Sequence, residues 1–149
     1  GLILSYKDHL NHGVYLLNNS ELVGFEGNER QLLTALIGNY QQQVTLLPLE
    51  QQTAVSFNTA KKIMCILRLA IILSQRRNEI SLNHIISINA NPLVNSEEKP
   101  EKDPFIDIAI LSLQLNLSST WLANHPLIAN ELQQEITYLQ PLGIQLALV

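Results

Sequence analysis

Arg68 is a cation in the middle of an apolar stretch, and this position gives it the potential to bind an anion. The stretch, residues 58–77, reads NTAKKIMCILRLAIILSQRR. At about 100° per residue, Lys61, Arg68 and Gln75 share one stripe of a helix, with Arg76 beside it. A buried guanidinium requires a carboxylate partner or a bound anion, because its desolvation is otherwise too costly. The sequence therefore predicts either an internal ion pair or an anion site.

A second pair of residues with potential chemistry is His9 and His12, which share a helix face because they are three positions apart. Two imidazoles at this spacing can hold a metal only with further imidazole or carboxylate ligands. Asp8 points elsewhere on the helix, and the only other aspartates are Asp103 and Asp107. We therefore expect these histidines to face solvent or an anion.

The element that must position Arg68 is a helix over residues 58–77. Asn58 is the predicted N-cap, because its side chain can accept a hydrogen bond from a free amide of the first turn. Arg76 and Arg77 then lie favourably at the negative end of the helix. Nearly all other positions are apolar, which predicts a helix buried on all sides within a bundle. The stretch is too short, and too closely flanked by charge, for a bilayer span of roughly 20 apolar residues.

The composition of the chain predicts two modules. Of its 149 residues 46% are hydrophobic and 15% are charged, which is typical of a folded protein. The net charge of −4 is uneven, because residues 1–78 carry seven Lys/Arg and five Asp/Glu whereas residues 79–149 carry two and eight. A negative net charge that lies mainly in residues 79–149 argues against nucleic acid as a partner.

The single cysteine and the first residue bear on location and completeness. Cys65 lies in the apolar helix, so we expect a buried, reduced thiol and a cytoplasmic protein. We expect neither a signal peptide nor a membrane span. Because the sequence opens with Gly1 directly into apolar residues, we interpret it as a piece of a longer protein.

The first module, residues 1–78, is predicted to be all-helical. The spacing of apolar residues indicates one helix over residues 8–18 and another over residues 28–39, which a Gly-Asn pair ends. A short helical piece near residues 50–54 precedes the long helix that carries Arg68.

The second module is predicted to contain a small antiparallel sheet of about three strands packed on one helix. Ile86, Ile88 and Ala90 alternate with polar residues, which is the period of a half-buried strand. Residues 105–117 predict a second strand, in which a β-bulge near Ile110 would keep the apolar residues on the core side. The charged, proline-bearing segment between these strands is predicted to be an exposed loop.

A helix and a third strand complete the second module. Asn130 and Gln133 resemble a capping box at the start of this helix. Its predicted buried stripe consists of Leu132, Ile136 and Leu139. Trp121, His125 and Pro126 precede this helix, and we predict that they form a structural corner that packs the sheet on the helix. The closing strand presents three alternating apolar residues, Ile144, Leu146 and Leu148.

Three blocks occur in order along the chain: HLNHGVYLLNNSELVGF, LRLAIILSQRR and WLANHPLIANELQQEITYLQPLGIQL. Together they resemble the C-terminal half of the exopolyphosphatase and guanosine pentaphosphate phosphohydrolase family, and the resemblance covers nearly the whole chain. It implies an N-terminally truncated, HD-like helical domain over residues 1–78, followed by a small α+β domain over residues 79–149. A catalytic, actin-like domain would precede both in the longer protein.

The resemblance also implies that the longer protein hydrolyses terminal phosphoanhydride bonds of inorganic polyphosphate or pppGpp, with Mg²⁺ in its catalytic domain. This chain has no glycine-rich phosphate loop, and its acidic residues are few and scattered, so we expect no catalytic residue in it. An active HD site is not expected either, because the aliphatic Ile71 lies near the position at which the resemblance places a metal-binding aspartate. We therefore expect no metal and no cofactor here.

Phosphate binding is the direct role that remains, since a track for a polyanion requires spaced cations. The basic residues predicted to line it are Lys7, His9, His12, Lys61, Lys62, Arg68, Arg76 and Arg77. For Arg68 the alternative is an internal partner such as Glu21, Glu29 or a backbone carbonyl. Residues 38–44 read GNYQQQV where members of the family often carry basic residues. This difference predicts weaker polymer binding or a shorter phosphate ligand.

We therefore predict a substrate-guiding, regulatory C-terminal region of an exopolyphosphatase or pppGpp phosphohydrolase, inactive by itself and forming a homodimer. Its predicted partners are inorganic polyphosphate or pppGpp and the N-terminal actin-like domain of the same protein. No nucleic acid and no membrane is expected. Two alternatives are open: a purely structural dimerisation module without a ligand, and a standalone HD-like metal phosphohydrolase.

Overall fold

A computed structural model gives the structure of the chain, and it describes residue 15 and residues 27–74, 84–93 and 109–149. The predicted helix over residues 8–18 lies outside these residues except for Tyr15, which is helical and exposed. The chain forms two compact units, Gly1–Met64 and Cys65–Val149. The predicted domain boundary after residue 78 lies outside the described residues and stays a prediction. None of the described helices is long and apolar enough to cross a membrane.

The described part of the first unit consists of α1 (Gly27–Gly38), α2 (Leu46–Gln51) and the first half of α3 (Phe57–Leu73). The prediction for α1 is confirmed to within a residue at each end. Helix α2 begins earlier than the predicted residues 50–54, because Pro48 lies in its first turn, where the missing N–H of proline is tolerated.

Two buried amide side chains fix the turns between these helices. Asn39 donates hydrogen bonds to the carbonyls of Ala35 and Thr45, at 2.9 and 3.1 Å, and accepts one from the Thr45 amide at 2.7 Å. Gln52 acts in the same way after α2, since its amide group contacts both backbone polar groups of Val55. Each turn therefore has side-chain partners for backbone groups that no helix satisfies.

Helix α3 begins one residue before the predicted start, and its cap differs from the prediction. The Ser56 hydroxyl accepts a hydrogen bond from the Thr59 amide at 3.2 Å, so Ser56 is the N-cap and the assignment of Asn58 is wrong. The helix is also not buried on all sides, because Ile66 is 68% exposed. Its buried face includes Met64 and Arg68.

The second unit contains a three-stranded mixed sheet in the order β1 (Ile85–Pro92), β2 (Leu111–Leu117) and β3 (Ile144–Leu148). Strand β1 runs antiparallel to β2, whereas β3 runs parallel to it. The predicted all-antiparallel sheet is therefore wrong for the second pair. Two helices, α4 (Ser119–Asn124) and α5 (Pro126–Tyr138), return the chain between β2 and β3, and a helical crossover of this kind joins parallel strands.

The α+β class is confirmed, and the core of the second unit lies between α5 and the sheet strands β2 and β3. Its most buried residues are Leu113, Leu115, Leu117, Ile128, Leu132, Leu139, Leu142, Ile144 and Leu146. The predicted stripe on α5 is correct, with Ile136 only half-buried. The predicted capping box is wrong, because α5 begins at Pro126 and Asn130 lies within it. The HD-like arrangement of the first module stays a prediction.

Gly143 follows the 3₁₀ turn Gln140–Leu142, which lies between α5 and β3, and its carbonyl lies against the start of β2. Its φ of 73° is left-handed, a conformation that glycine adopts without steric cost. Its carbonyl accepts hydrogen bonds from the successive amides of Ile110 and Leu111, at 2.7 and 3.2 Å. The pairing of β2 with β3 is regular from Leu111 onward. Residues 105–108 of the predicted strand lie outside the described residues, so the predicted β-bulge near Ile110 stays a prediction.

Strand β1 has its bulge at Ile86, between the pairs Ile85–Leu117 and Ser87–Asn116. The bulge puts Ile86 out of the regular alternation that the sequence predicts. Ile88 pairs with Leu115 and thus lies on the core face of the sheet, but it is 55% exposed. The prediction of a half-buried strand is therefore wrong for Ile86 and Ile88, which are exposed.

Candidate functional site

The predicted phosphate-binding residues fall into three groups in the structure. Five of them lie outside the described residues: Lys7, His9, His12, Arg76 and Arg77. Lys62 is exposed on α3. Lys61 is 7% exposed, its ammonium lies 4.2 Å from the centre of the Phe57 ring, and burial lowers its pKa below the usual value. Among the described members, the structure therefore leaves Lys62 as the accessible cation.

Arg68 lies on the buried face of α3 and forms an ion pair with Glu135 of α5. Its Nη2 donates to Glu135 Oε1 at 2.6 Å, and its Nε donates to Oε2 at 3.1 Å. The arginine is 1% exposed and the glutamate 4%. The two parallel hydrogen bonds use the planar fork of the guanidinium, which matches both oxygens of a carboxylate.

Two further side chains border the pair. The Tyr138 ring, one turn after Glu135 on α5, lies 5.4 Å from Arg68 Cζ, within the range of a cation–π contact. Cys65 precedes Arg68 by one turn of α3 and is buried. Burial, together with the negative charge of Glu135, raises the pKa of Cys65 to about 12, although the positive charge of Arg68 opposes part of this effect. The thiol is thus protonated and unreactive at neutral pH.

The ion pair changes the interpretation of Arg68. Of the two predicted possibilities, an internal carboxylate and a phosphate, the structure shows the first, because Glu135 accepts hydrogen bonds from Nε and Nη2 of the guanidinium. Glu135 is therefore a carboxylate partner of Arg68, whereas Glu21 lies outside the described residues, and phosphate contact by Arg68 stays a prediction.

Glu135 is the important residue that the sequence analysis missed. It lies three residues after Leu132 and four before Leu139, so it shares the buried stripe of α5 with both. An acidic residue on an apolar stripe is rare unless it is paired. The sequence contained this signal, since a buried cation on one helix and a buried anion on another are the natural partners of each other.

A second cluster surrounds Trp121, whose indole lies between two imidazole rings. The ring centres of His84 and His125 lie 4.2 and 4.4 Å from that of Trp121, with interplanar angles of 13° and 21°. His125 Nδ1 donates to the Trp121 carbonyl at 2.7 Å and Pro126 follows as the first residue of α5. The predicted structural corner is therefore present, with His84 as an additional member.

The described residues contain no group of three His, Cys, Asp or Glu side chains that could hold a metal ion. The clusters described above are an ion pair and an aromatic stack. Each stabilises the contact between elements of the second unit. Neither presents an activated nucleophile or a general base to an open site.

The match of this chain to a known family covers most of its length. Residues 1–136 match the family model described as "Ppx/GppA phosphatase, domain III". The chain belongs to the Ppx/GppA phosphatase family. The predicted resemblance is therefore confirmed.

Several curated proteins related to this Ppx/GppA chain carry one name, guanosine-5'-triphosphate,3'-diphosphate pyrophosphatase. The protein of that name from Vibrio atlanticus is 37% identical over 135 residues, which cover 91% of this chain and 23% of that protein. Those from Photobacterium profundum and Aeromonas hydrophila are 33% and 32% identical, over 99% and 96% of this chain and 26% and 25% of their own length. The chain thus spans about a quarter of these relatives and corresponds to their C-terminal part.

Proposed function

We propose that this chain is the non-catalytic C-terminal part of a cytoplasmic hydrolase that converts pppGpp or shortens inorganic polyphosphate. The names of the relatives support the first substrate, and the resemblance to exopolyphosphatases supports the second. Catalysis, with its Mg²⁺, would belong to the actin-like domain in the N-terminal part of the longer protein. This chain would brace that domain and self-associate into a homodimer.

The observation that carries this proposal is the Arg68–Glu135 ion pair. The cation is buried and held by a carboxylate, which is the arrangement of a structural ion pair. It connects α3, the long helix of the chain, to α5, the helix that covers the sheet. The pair thus supports a bracing role.

The test is a paired substitution in the longer enzyme. Arg68→Met with Glu135→Leu removes both charges and keeps apolar side chains of similar size. A bracing role predicts that kcat and KM for pppGpp stay close to those of the unmodified enzyme. If KM rises about tenfold or more while the variant remains folded, Arg68 binds the substrate and the proposal is wrong.

A substrate-guiding surface is the second candidate function, because Lys62 is exposed on α3. The remaining cations of this proposed surface are Lys7, His9, His12, Arg76 and Arg77. Neutralising Lys62 and Arg76 together should raise KM for long polyphosphate more than for short polyphosphate, since only a long chain extends beyond the active site. Short polymer is the internal control, and equal effects at all lengths refute a guiding surface.

A further inference from the structure

Strand β1 is an edge strand without the usual protection. It is hydrogen-bonded to β2 on one side, and in the described part of the sheet no strand pairs with its other side. Edge strands are normally guarded by charged residues or an internal proline. Strand β1 reads IISINANP, so it has no charged residue and its proline is last. The edge that the described strands leave unpaired can therefore accept another strand.

The exposed apolar residues of β1 continue a buried layer. Ile88 pairs with Leu115, which pairs in turn with Leu148 of β3. Leu115 is buried, whereas Ile88 is 55% exposed. Among the described residues, the apolar face is therefore less covered at β1 than at β2, and a new strand beside β1 would extend both the hydrogen-bond ladder and the apolar layer.

We propose that the occupant of this edge is β1 of a second copy of the chain, which would give a continuous six-stranded sheet. The pairing would be antiparallel, about a two-fold axis at Asn89. The bulge at Ile86 ends the regular part of the strand on one side, and on the other Pro92 has no N–H to donate to a new strand. Asn89 is the midpoint of the residues between them, 87–91. This inference rests on the proposed self-association and gives it a location.

The sequence of β1 is complementary to itself in this register. Ile88 lies opposite Ala90 of the second copy, Ser87 lies opposite Asn91, and Asn89 lies opposite Asn89. Directly opposed residues of an antiparallel pair share one face of the sheet. Apolar residues thus meet apolar residues on the core face, and polar residues meet polar ones on the other. A neutral strand does not repel its own copy, and it offers no opposite charge to an acidic or basic peptide.

The first test places a charge on the proposed axis in the 149-residue chain. Asn89→Lys sets two ammonium groups opposite each other, and we expect it to weaken the dimer by about tenfold in analytical ultracentrifugation. The matched control is Gln145→Lys, an exposed position on the opposite edge strand β3, which should leave the dimer unchanged. Circular dichroism checks that both variants are folded.

The second test uses a cross-link. Asn89→Cys should form a disulfide between copies under mild oxidation, because opposed Cα atoms lie about 4.5–5.5 Å apart in an antiparallel pair. Ala147→Cys on β3 is the control that should not, and Cys65 is buried and does not compete.

Two results would overturn the inference in distinguishable ways. A dimer that Asn89→Lys does not weaken and Asn89→Cys does not cross-link places self-association elsewhere. A chain that is monomeric over the whole concentration range removes the self-association from the proposed function as well.

Discussion

Replacing Glu135 with leucine leaves the Arg68 guanidinium buried without its carboxylate. Both side chains are almost fully buried, so water cannot replace the lost hydrogen bonds unless the structure opens. Removing one partner of a buried pair typically costs about 3–5 kcal/mol, and we expect the free energy of unfolding to fall by that amount. For comparison, an exposed ion pair is worth about 1 kcal/mol at most.

The paired substitution Arg68→Met with Glu135→Leu removes both charges of the pair. Apolar pairs of similar volume in place of a buried ion pair are often neutral or stabilising. We therefore expect the double variant to lie within about 1 kcal/mol of the unmodified chain, or above it. The coupling energy between the two positions is then about 3 kcal/mol or more, far outside the additivity of independent sites.

Urea unfolding of the chain measures these differences, with the fluorescence of Trp121, its single tryptophan, as the signal. Gln134→Leu, an exposed position one residue before Glu135, is the control and should change stability by about 0.5 kcal/mol or less. The reasoning is refuted if Glu135→Leu changes stability by less than about 1 kcal/mol and the two single effects simply add.

Three further predictions concern other buried groups. Because the pKa of Cys65 is raised from 9.0 to about 12, the protonated thiol contributes its full stability below pH 9, and this contribution is lost as the pH rises towards 12. Cys65→Ala should abolish this loss of stability at alkaline pH, which urea titrations at several pH values measure. Asn39→Ala removes three hydrogen bonds and should cost about 2–3 kcal/mol, whereas the exposed Gln43→Ala should cost about 0.5 kcal/mol or less. The buried Nε2 of His84 has no hydrogen-bond partner among the described residues. His84→Phe should therefore preserve the stack on Trp121 and leave the melting temperature unchanged or higher. A fall of several degrees would show that the imidazole has a polar role.

Apolar periodicity predicted the elements that are buried on one face. The stripe of α5 and the alternation of β3 are correct because each has a single covered side, which the period of the sequence reveals. The same rule gave the wrong exposure for Ile88, because alternation shows which residues share a face and not whether another element covers that face. The burial of β1 depends on its position at the edge of the sheet.

Strand direction and helix caps were less predictable for physical reasons. The alternation of apolar residues in a short strand does not show in which direction the strand runs. The parallel pairing of β2 and β3 therefore follows from the helical crossover and not from the strand sequence. Ser56 and Asn58 are equally good N-caps in isolation, and the packing of the first turn decides between them.

The two possible roles of Arg68 were visible in the sequence, but its partner was not identified. The guanidinium lies in an apolar helix, which shows that some anion must accompany it. The partner lies 67 residues away on another helix, and such distant pairs depend on the tertiary fold. The acidic residue on the apolar stripe of α5 was the one local signal that could have indicated Glu135.

The most direct test of the account follows the Arg68 Nε–H group by nuclear magnetic resonance, with Arg68→Met providing the assignment. The buried pair predicts that this proton exchanges slowly with water and that its resonance does not move when pppGpp or polyphosphate is added. A rapidly exchanging proton, or a resonance that shifts and saturates with the phosphate ligand, would show that Arg68 serves the substrate and would contradict the account.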